Sequence, residues 1–141
     1  MAEFTIVLSS PHPAPETFAR LVDWDAHTAA IPFTRLHHDG EPRLGQRFVA
    51  RTAIGPRGFD DPMEVQLLRR PAGNLPGVVE VVKSGQVIRG RVRWTVTPAA
   101  TGSTVEWHQR INLGRLPAVL DPVVGLVGRL AYGSGLRRLV R

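Results

Sequence analysis

The sequence predicts an α+β domain built from a seven-stranded antiparallel sheet, with two short helices after the first strand and a long helix at the C-terminus. Three observations predict it. The segments Val87 to Pro98 and Ser103 to Leu113 flank Ala99-Ala100-Thr101-Gly102 and alternate apolar with polar residues, the period-two mark of a sheet with one covered face. From Phe33 to Leu113 extended runs alternate with turn residues, and no helical period competes. From Leu116 to Arg141 a helical period takes over.

The elements follow in order. Phe4 to Ser9 reads as the first strand, and Ser10-Pro11-His12-Pro13 ends it. Pro15 to Val22 places Pro and Glu in a first helical turn and sets Phe18, Leu21 and Val22 on one face. A second short helix runs from about Trp24 to Ala30 and stops before Pro32, because a residue preceding proline avoids the helical region. Breaks at 39–42, 55–58, 71–77, 84–85 and 99–102 then delimit six strands.

Closing the turns fixes a register. Across 99–102, Val96 faces Val105, Trp94 faces Trp107, Val92 faces Gln109 and Gly90 faces Ile111 on the apolar side. Thr95 with Glu106, Arg93 with His108 and Arg89 with Asn112 make the polar side. A four-residue loop at Gly55 to Gly58 opposes Phe48 to Val65, Ala50 to Met63 and Thr52 to Asp61. Closing Ser84-Gly85 opposes Val81 to Ile88 and Val79 to Gly90. The three hairpins share one apolar face. Arg91 opposite Arg110 is its blemish, the mark of a bulge or slip. In the tail, Leu120, Val123, Val124, Val127, Leu130 and Ala131 form a stripe behind an Asp121-Pro122 start. Its four glycines leave that helix to be held by packing rather than propensity.

Composition bounds the function. A chain of 141 residues suits one domain with its own core. Without cysteine there is no disulfide, thiol chemistry or Cys-based metal site, and a reducing compartment is plausible. Met1-Ala2-Glu3 lacks a basic leader and the run Phe4 to Leu8 is too short for a signal peptide, so the protein is expected to be cytoplasmic. The net charge of +6 comes from 17 Arg and one Lys, Lys83, a bias that GC-rich coding produces. The arginines are scattered, which argues against nucleic-acid binding. The tail is too short for a membrane span and carries Asp121 and Arg129, leaving contact with a membrane surface as the alternative.

Chemical motifs are few. The five histidines have no metal-ligand spacing: His37 and His38 are adjacent on a strand, and His108 points outward with Arg93. Neither a Gly-x-Ser-x-Gly elbow nor a phosphate loop occurs, and no cofactor is expected. Asp61 and Thr52 face inward, where a carboxylate needs a partner such as an Arg, solvent at an entrance, or a raised pKa. A turn-stabilising role for Asp61 competes with ligand binding. The inward amide of Gln109 is either tied to backbone or water or faces a ligand. Trp94 and Trp107 fit a plain core as well as a ligand wall.

The residues Phe18-x-x-Leu21-Val22-x-Trp24 with His27 and Pro32, the segment Gly45-Gln46-Arg47-Phe48, the stretch Gly58 to Val65, and the strand Gly90 to Trp94 with Thr95 to Trp107 resemble the START/Bet v1-like (SRPBCC) superfamily, more narrowly its polyketide cyclase/dehydrase and lipid-transport type. The resemblance covers nearly the whole chain and implies a helix-grip fold, a curved sheet around the C-terminal helix with an apolar cavity between them. It carries no catalytic signature. It makes Phe48, Thr52, Asp61, Met63, Val92, Trp94, Trp107 and Gln109 of the sheet, His27 of the second short helix and Val127 of the last helix the candidate ligand-binding residues. His27 at the cavity mouth competes with a surface or capping role. The implied function is binding or carriage of an apolar, lipid- or polyketide-like molecule. Its rivals are an aromatase/cyclase-like enzyme and an Arg-rich interaction module.

Overall fold

The structure, a computed structural model, describes residues 2–30, 33–113 and 121–141, with the side chains at 28–30, 54, 57, 113, 121–128 and 131–132 outside that description. Strand β1 (Ala2–Ser10) is followed by α1 (Ala14–Leu21) and α2 (Trp24–Ala30). Strands β2 (Thr34–His37), β3 (Arg47–Ile54), β4 (Arg57–Arg69), β5 (Gly77–Ser84), β6 (Ile88–Pro98) and β7 (Ser103–Leu113) come next, then α3 (Asp121–Val140). The seven strands form one antiparallel sheet in the order β1-β7-β6-β5-β4-β3-β2. Consecutive strands from β2 to β7 are neighbours, and β1 crosses to pair with β7. The two helices between β1 and β2 therefore join opposite edges of the sheet.

Alternation decides which face is covered. In β1, Ala2, Phe4, Ile6 and Leu8 are buried while the residues between them are exposed. Trp94, Val96, Val105 and Trp107 are buried from β6 and β7, with Arg89, Arg93 and Glu106 on the outer side. Helix α1 starts on Pro13 and Ala14-Pro15, and buries Phe18 and Leu21 against this face, with Val22 just beyond. Each such side chain contributes about 1.5–3 kcal/mol through its apolar area.

The β6–β7 pairing has the expected register without interruption, from Ile88 opposite Leu113 to Pro98 opposite Ser103. No bulge relieves Arg91 opposite Arg110. Each arginine instead has its own carboxylate, Glu80 for Arg91 and Glu3 for Arg110. Gly90 is needed in this hairpin because a Cβ there would run into the backbone carbonyl of Arg110.

Two other registers differ from expectation. Phe48 pairs with Met63, Ala50 with Asp61 and Thr52 with Phe59, two residues away from the expected partners. The cause is a two-residue turn: Ile54 pairs with Arg57, and Gly55 at φ 59 supplies the left-handed backbone that so tight a connection requires. Val81 pairs with Val92 and Val79 with Trp94, four residues from expectation, because the last β5–β6 pair is Ser84 with Arg89 and residues 85–88 have no partner in β5. Both shifts are even, so every side chain keeps its face. The irregularity lies instead between Val65 and Leu67 of β4, where the pairing with β5 slips by one residue and the strand bends.

Helix α3 packs on β1, α1 and α2. Its last turns bury Leu136, Leu139 and Val140, and Ser10 Oγ donates to the Val140 carbonyl at 2.8 Å. Most of the expected stripe, including Val127, lies outside the described side chains, and Leu130 is exposed rather than buried. The described apolar anchor of the helix is thus at its C-terminal end, where Leu136, Leu139 and Val140 meet the sheet and α1.

Candidate functional site

The covered face is not filled solid. A cavity of about 420 Å³ is lined by Trp24 and His27 of α2 together with inward residues of β2 to β7. Its aromatic wall is continuous. Trp94 and Trp107, directly opposite across β6 and β7, stack at 4.7 Å between ring centroids and 10° between planes. Trp24 stacks on Phe48 at 4.6 Å and meets Trp94 edge-on at 6.3 Å. These contacts lock α2 onto the sheet, and each such pair contributes about 0.5–1.5 kcal/mol beyond area burial. Val81, Val92, Met63, Leu36 and Ile88 complete the apolar lining.

The strongest electrostatic feature is an ion pair. Lys83 Nζ lies 2.6 Å from Asp61 Oδ2, and both side chains line the cavity at 4% and 5% exposure. The sheet brings them together: Lys83 sits opposite Met63, and Asp61 is the next inward residue along β4, so the two are diagonal neighbours. A second carboxylate oxygen, Asp61 Oδ1, is buried with no hydrogen-bond partner, and so is the indole nitrogen Trp94 Nε1. The pair and Trp94 are far apart. Gly90, the partner of Lys83, is four residues before Trp94, about 13 Å along an extended strand. The ion pair and the Trp94–Trp107 stack thus stand at separate ends of an apolar chamber.

His27 closes the α2 side. Its Nε2 is 2.7 Å from the Leu21 carbonyl, which can only accept, so Nε2 carries the proton and Nδ1 keeps its lone pair. Burial lowers its pKa below the usual histidine value and outweighs the Leu21 hydrogen bond and the Asp23 charge, so the ring is neutral near pH 7. Behind it, Trp24 Nε1 donates to Gln46 Oε1 at 3.0 Å, and Gln46 Nε2 donates to the Gly40 carbonyl at 3.1 Å. His38 bridges the same region, bonding Asp25 of α2 and the Gly40 carbonyl. The hydrogen bond to Asp25 raises its pKa.

Of the residues expected from sequence, His27, Phe48, Thr52, Asp61, Met63, Val92, Trp94 and Trp107 line the cavity. Gln109 does not. It is buried behind Trp107 and accepts the indole proton of that residue at 3.2 Å, which satisfies an amide in an apolar layer. Thr52 lies opposite Phe59 and Thr34 rather than Asp61, and its hydroxyl is 3.1 Å from that of Thr34. The partner of Asp61 is a lysine, not an arginine. Lys83, Gln46 and Trp24 were not among the expected ligand-binding residues, although Trp24 and Gln46 belong to the segments that carry the family resemblance. Lys83 had a signal, since it continues the inward parity of Val79 and Val81. Among the described residues no group of three His, Asp or Glu side chains is placed to hold a metal ion.

A larger, shallower depression of about 710 Å³ lies beside the cavity and shares Phe48 and Met63 with it. Its other walls include Arg47, Glu64, His37 and Asp39, and Arg47 and Glu64 pair with each other at 3.2 Å. Exposed charges that already neutralise one another make it the poorer receptor for an apolar molecule.

No protein-family profile matches the chain, and no curated protein matches it by sequence. Solved structures do match. The protein TTHA0849 of Thermus thermophilus superposes with a TM-score of 0.75 at 16% identity, covering 98% of this chain and 96% of the other. The di-domain ARO/CYC protein StfQ from the steffimycin biosynthetic pathway gives 0.69 at 18%, over 99% of this chain and 49% of StfQ. Norcoclaurine synthase of Thalictrum flavum, solved with dopamine and hydroxybenzaldehyde, gives 0.64 at 14%, over 98% and 85%. The likeness is one of fold: the chain shares with these solved structures the helix-grip arrangement of a seven-stranded antiparallel sheet and a C-terminal helix.

Proposed function

We propose that the protein binds a flat, apolar small molecule in the cavity between the sheet and its helices. One observation carries this reading: a chamber of about 420 Å³ is walled by stacked aromatics and aliphatic side chains, with the Asp61–Lys83 pair set in its wall. A hydroxyl or carbonyl group at the ligand's edge would meet the Asp61–Lys83 pair, which is the charged part of an otherwise apolar lining. Apolar burial supplies affinity at about 25 cal/mol per Å², and the polar atoms set orientation. Lipid- or polyketide-like compounds have this character, and the solved structures of like fold include a polyketide aromatase/cyclase and an enzyme with aromatic ligands.

A cyclase-like activity is the second reading. It is favoured by the neutral His27 and by the Asp61–Lys83 pair, groups able to move protons inside the chamber. The Arg-rich interaction module has less support, because outward arginines of the sheet are matched to carboxylates: Arg47 to Glu64, Arg51 to Asp60, Arg91 to Glu80 and Arg110 to Glu3. No described helix is long and apolar enough to cross a membrane. Native mass spectrometry of freshly purified protein tests the binding reading. It is expected to show a co-purified small molecule, or stoichiometric uptake of added 2-naphthol. Failure to retain any flat aromatic compound would contradict it.

A further inference from the structure

We infer that Lys83 is an amine nucleophile that captures a carbonyl-bearing ligand of the cavity as an imine, with Asp61 as its proton acceptor. The inference rests on the binding reading above and names a chemical class within it. Its first support is the use of lysine itself. The chain has 17 arginines and one lysine, and the lysine is a cavity-lining residue. Arginine pairs with buried carboxylates more readily than lysine does and serves wherever a fixed positive charge suffices. An ammonium differs in one respect that matters here: it can lose a proton and become a nucleophile.

The second support is energetic. A buried ion pair is weak evidence for stability, since apolar residues of similar volume often do as well or better. Lys83 and Asp61 are nevertheless kept in the wall of an apolar cavity at 2.6 Å. The third is the carboxylate geometry. Oδ2 lies 2.6 Å from the ammonium, so the carboxylate is already placed to receive its proton.

The step balances without an added reagent. Asp61 takes one proton from the Lys83 ammonium, and the freed lone pair forms the N–C bond to the ligand carbonyl carbon. The carbonyl oxygen, gaining protons from the amine and from Asp61, leaves as water. The product is a protonated imine on Nζ beside the Asp61 carboxylate, with the same net charge as before. Apolar walls favour this by holding little water to reverse it, and an aromatic aldehyde would stack on the Trp surface while its carbonyl reached the lysine.

The test uses the intact protein with 2-naphthaldehyde and sodium cyanoborohydride at pH 7, followed by peptide mapping. The N-terminal α-amine is the internal standard. An ordinary lysine, with a pKa of about 10.4 against about 8 for the α-amine, would be labelled roughly a hundredfold more slowly. Lys83 is expected to be labelled at least as fast as the α-amine, and Asp61→Asn, checked for folding by circular dichroism, to slow that labelling tenfold or more when the rates are compared on the high-pH plateau, where the amine is free in both proteins. Lys83→Arg, checked for folding by circular dichroism, should label only at the α-amine. A Lys83 rate tenfold or more below the α-amine overturns the inference. Quenching of Trp fluorescence by 2-methoxynaphthalene, which has no carbonyl, is measured alongside. If it binds and Lys83 does not react, the imine is wrong and the cavity reading stands. If it does not bind either, both fall.

Discussion

At the scale of single residues the cavity is defined by the ion pair in its wall. Lys83 and Asp61 are both nearly inaccessible, so neither can be removed alone without leaving a buried charge. Lys83→Met should therefore cost about 3–5 kcal/mol, whereas Lys83→Met with Asp61→Leu should recover most of that loss while weakening the hold on hydroxyl-bearing ligands. Urea denaturation of the single and double variants checks it. Equal destabilisation by both would mean that the pair itself holds the fold.

His27 gives a second residue-scale expectation. Its pKa is lowered in the folded protein by burial, so the unfolded chain binds more protons below the ordinary value of 6.5. Stability from this group is fully present above pH 6.5 and falls as the pH drops through the lowered folded value. His38 works in the opposite sense. Its pKa is raised by Asp25, so its contribution is complete below pH 6.5 and is lost as the pH rises through the folded value. Denaturation midpoints measured from pH 7.5 down to 5 should fall less steeply in His27→Gln than in the natural sequence. An unchanged slope would place the acid sensitivity elsewhere.

At the scale of elements, legibility followed turn chemistry. The β6–β7 hairpin was readable residue by residue because its loop has the length expected and two Trp sit opposite one another. The hairpins at Gly55 and Gly85 were read with the wrong loop lengths, yet their faces survived because the errors were two and four residues. The pairing of β4 with β5 was not readable. It is closed by the long connection at 70–76 and slips at Val65 and Leu67, so the meeting of Asp61 with Lys83 had no local signal. Gln109 shows the reverse limit: its inward parity was legible, but parity cannot tell a ligand contact from a hydrogen bond to Trp107.

The C-terminal helix carries the element-scale prediction. Leu136, Leu139 and Val140 are buried, Ser10 bonds the Val140 carbonyl, and Arg20 bonds the carbonyl of Arg141. Ser10 is also tied to Thr17, and Thr17 to Ser103, so one network of hydroxyls joins β1, α1 and β7 beneath the helix end. Deleting residues from Leu136 onward removes three buried side chains worth about 1.5–3 kcal/mol each. That is comparable with the whole stability of a small domain, about 5–15 kcal/mol. The truncated protein should lose near-ultraviolet circular dichroism from its Trp residues and bind hydrophobic dyes. A soluble product with an intact Trp signal would show that the sheet does not need this cover.

At the scale of the whole molecule, the sheet and helices make an enclosure whose inner surface is mostly aromatic and aliphatic, while Arg47, Arg51, Arg91 and Arg110 of the outer face pair with carboxylates. Such an arrangement suits uptake of a neutral, flat compound. The fold was legible because one apolar face recurs through every strand. The enclosed space was not, since it depends on how far β4 bends and where α2 settles, and both are fixed by contacts distant in sequence, such as Trp24 with Gln46 and Phe48.

The three indole N–H groups offer the most direct measurement. Trp24 donates to Gln46 and Trp107 to Gln109, while Trp94 Nε1 is buried without a partner. In a ¹H–¹⁵N correlation spectrum titrated with 2-naphthol, the Trp94 indole signal should move first and furthest, saturably, as the ring current of the ligand reaches the aromatic wall. Shifts confined to exposed backbone amides, with the Trp94 indole unmoved, would contradict a ligand-binding cavity.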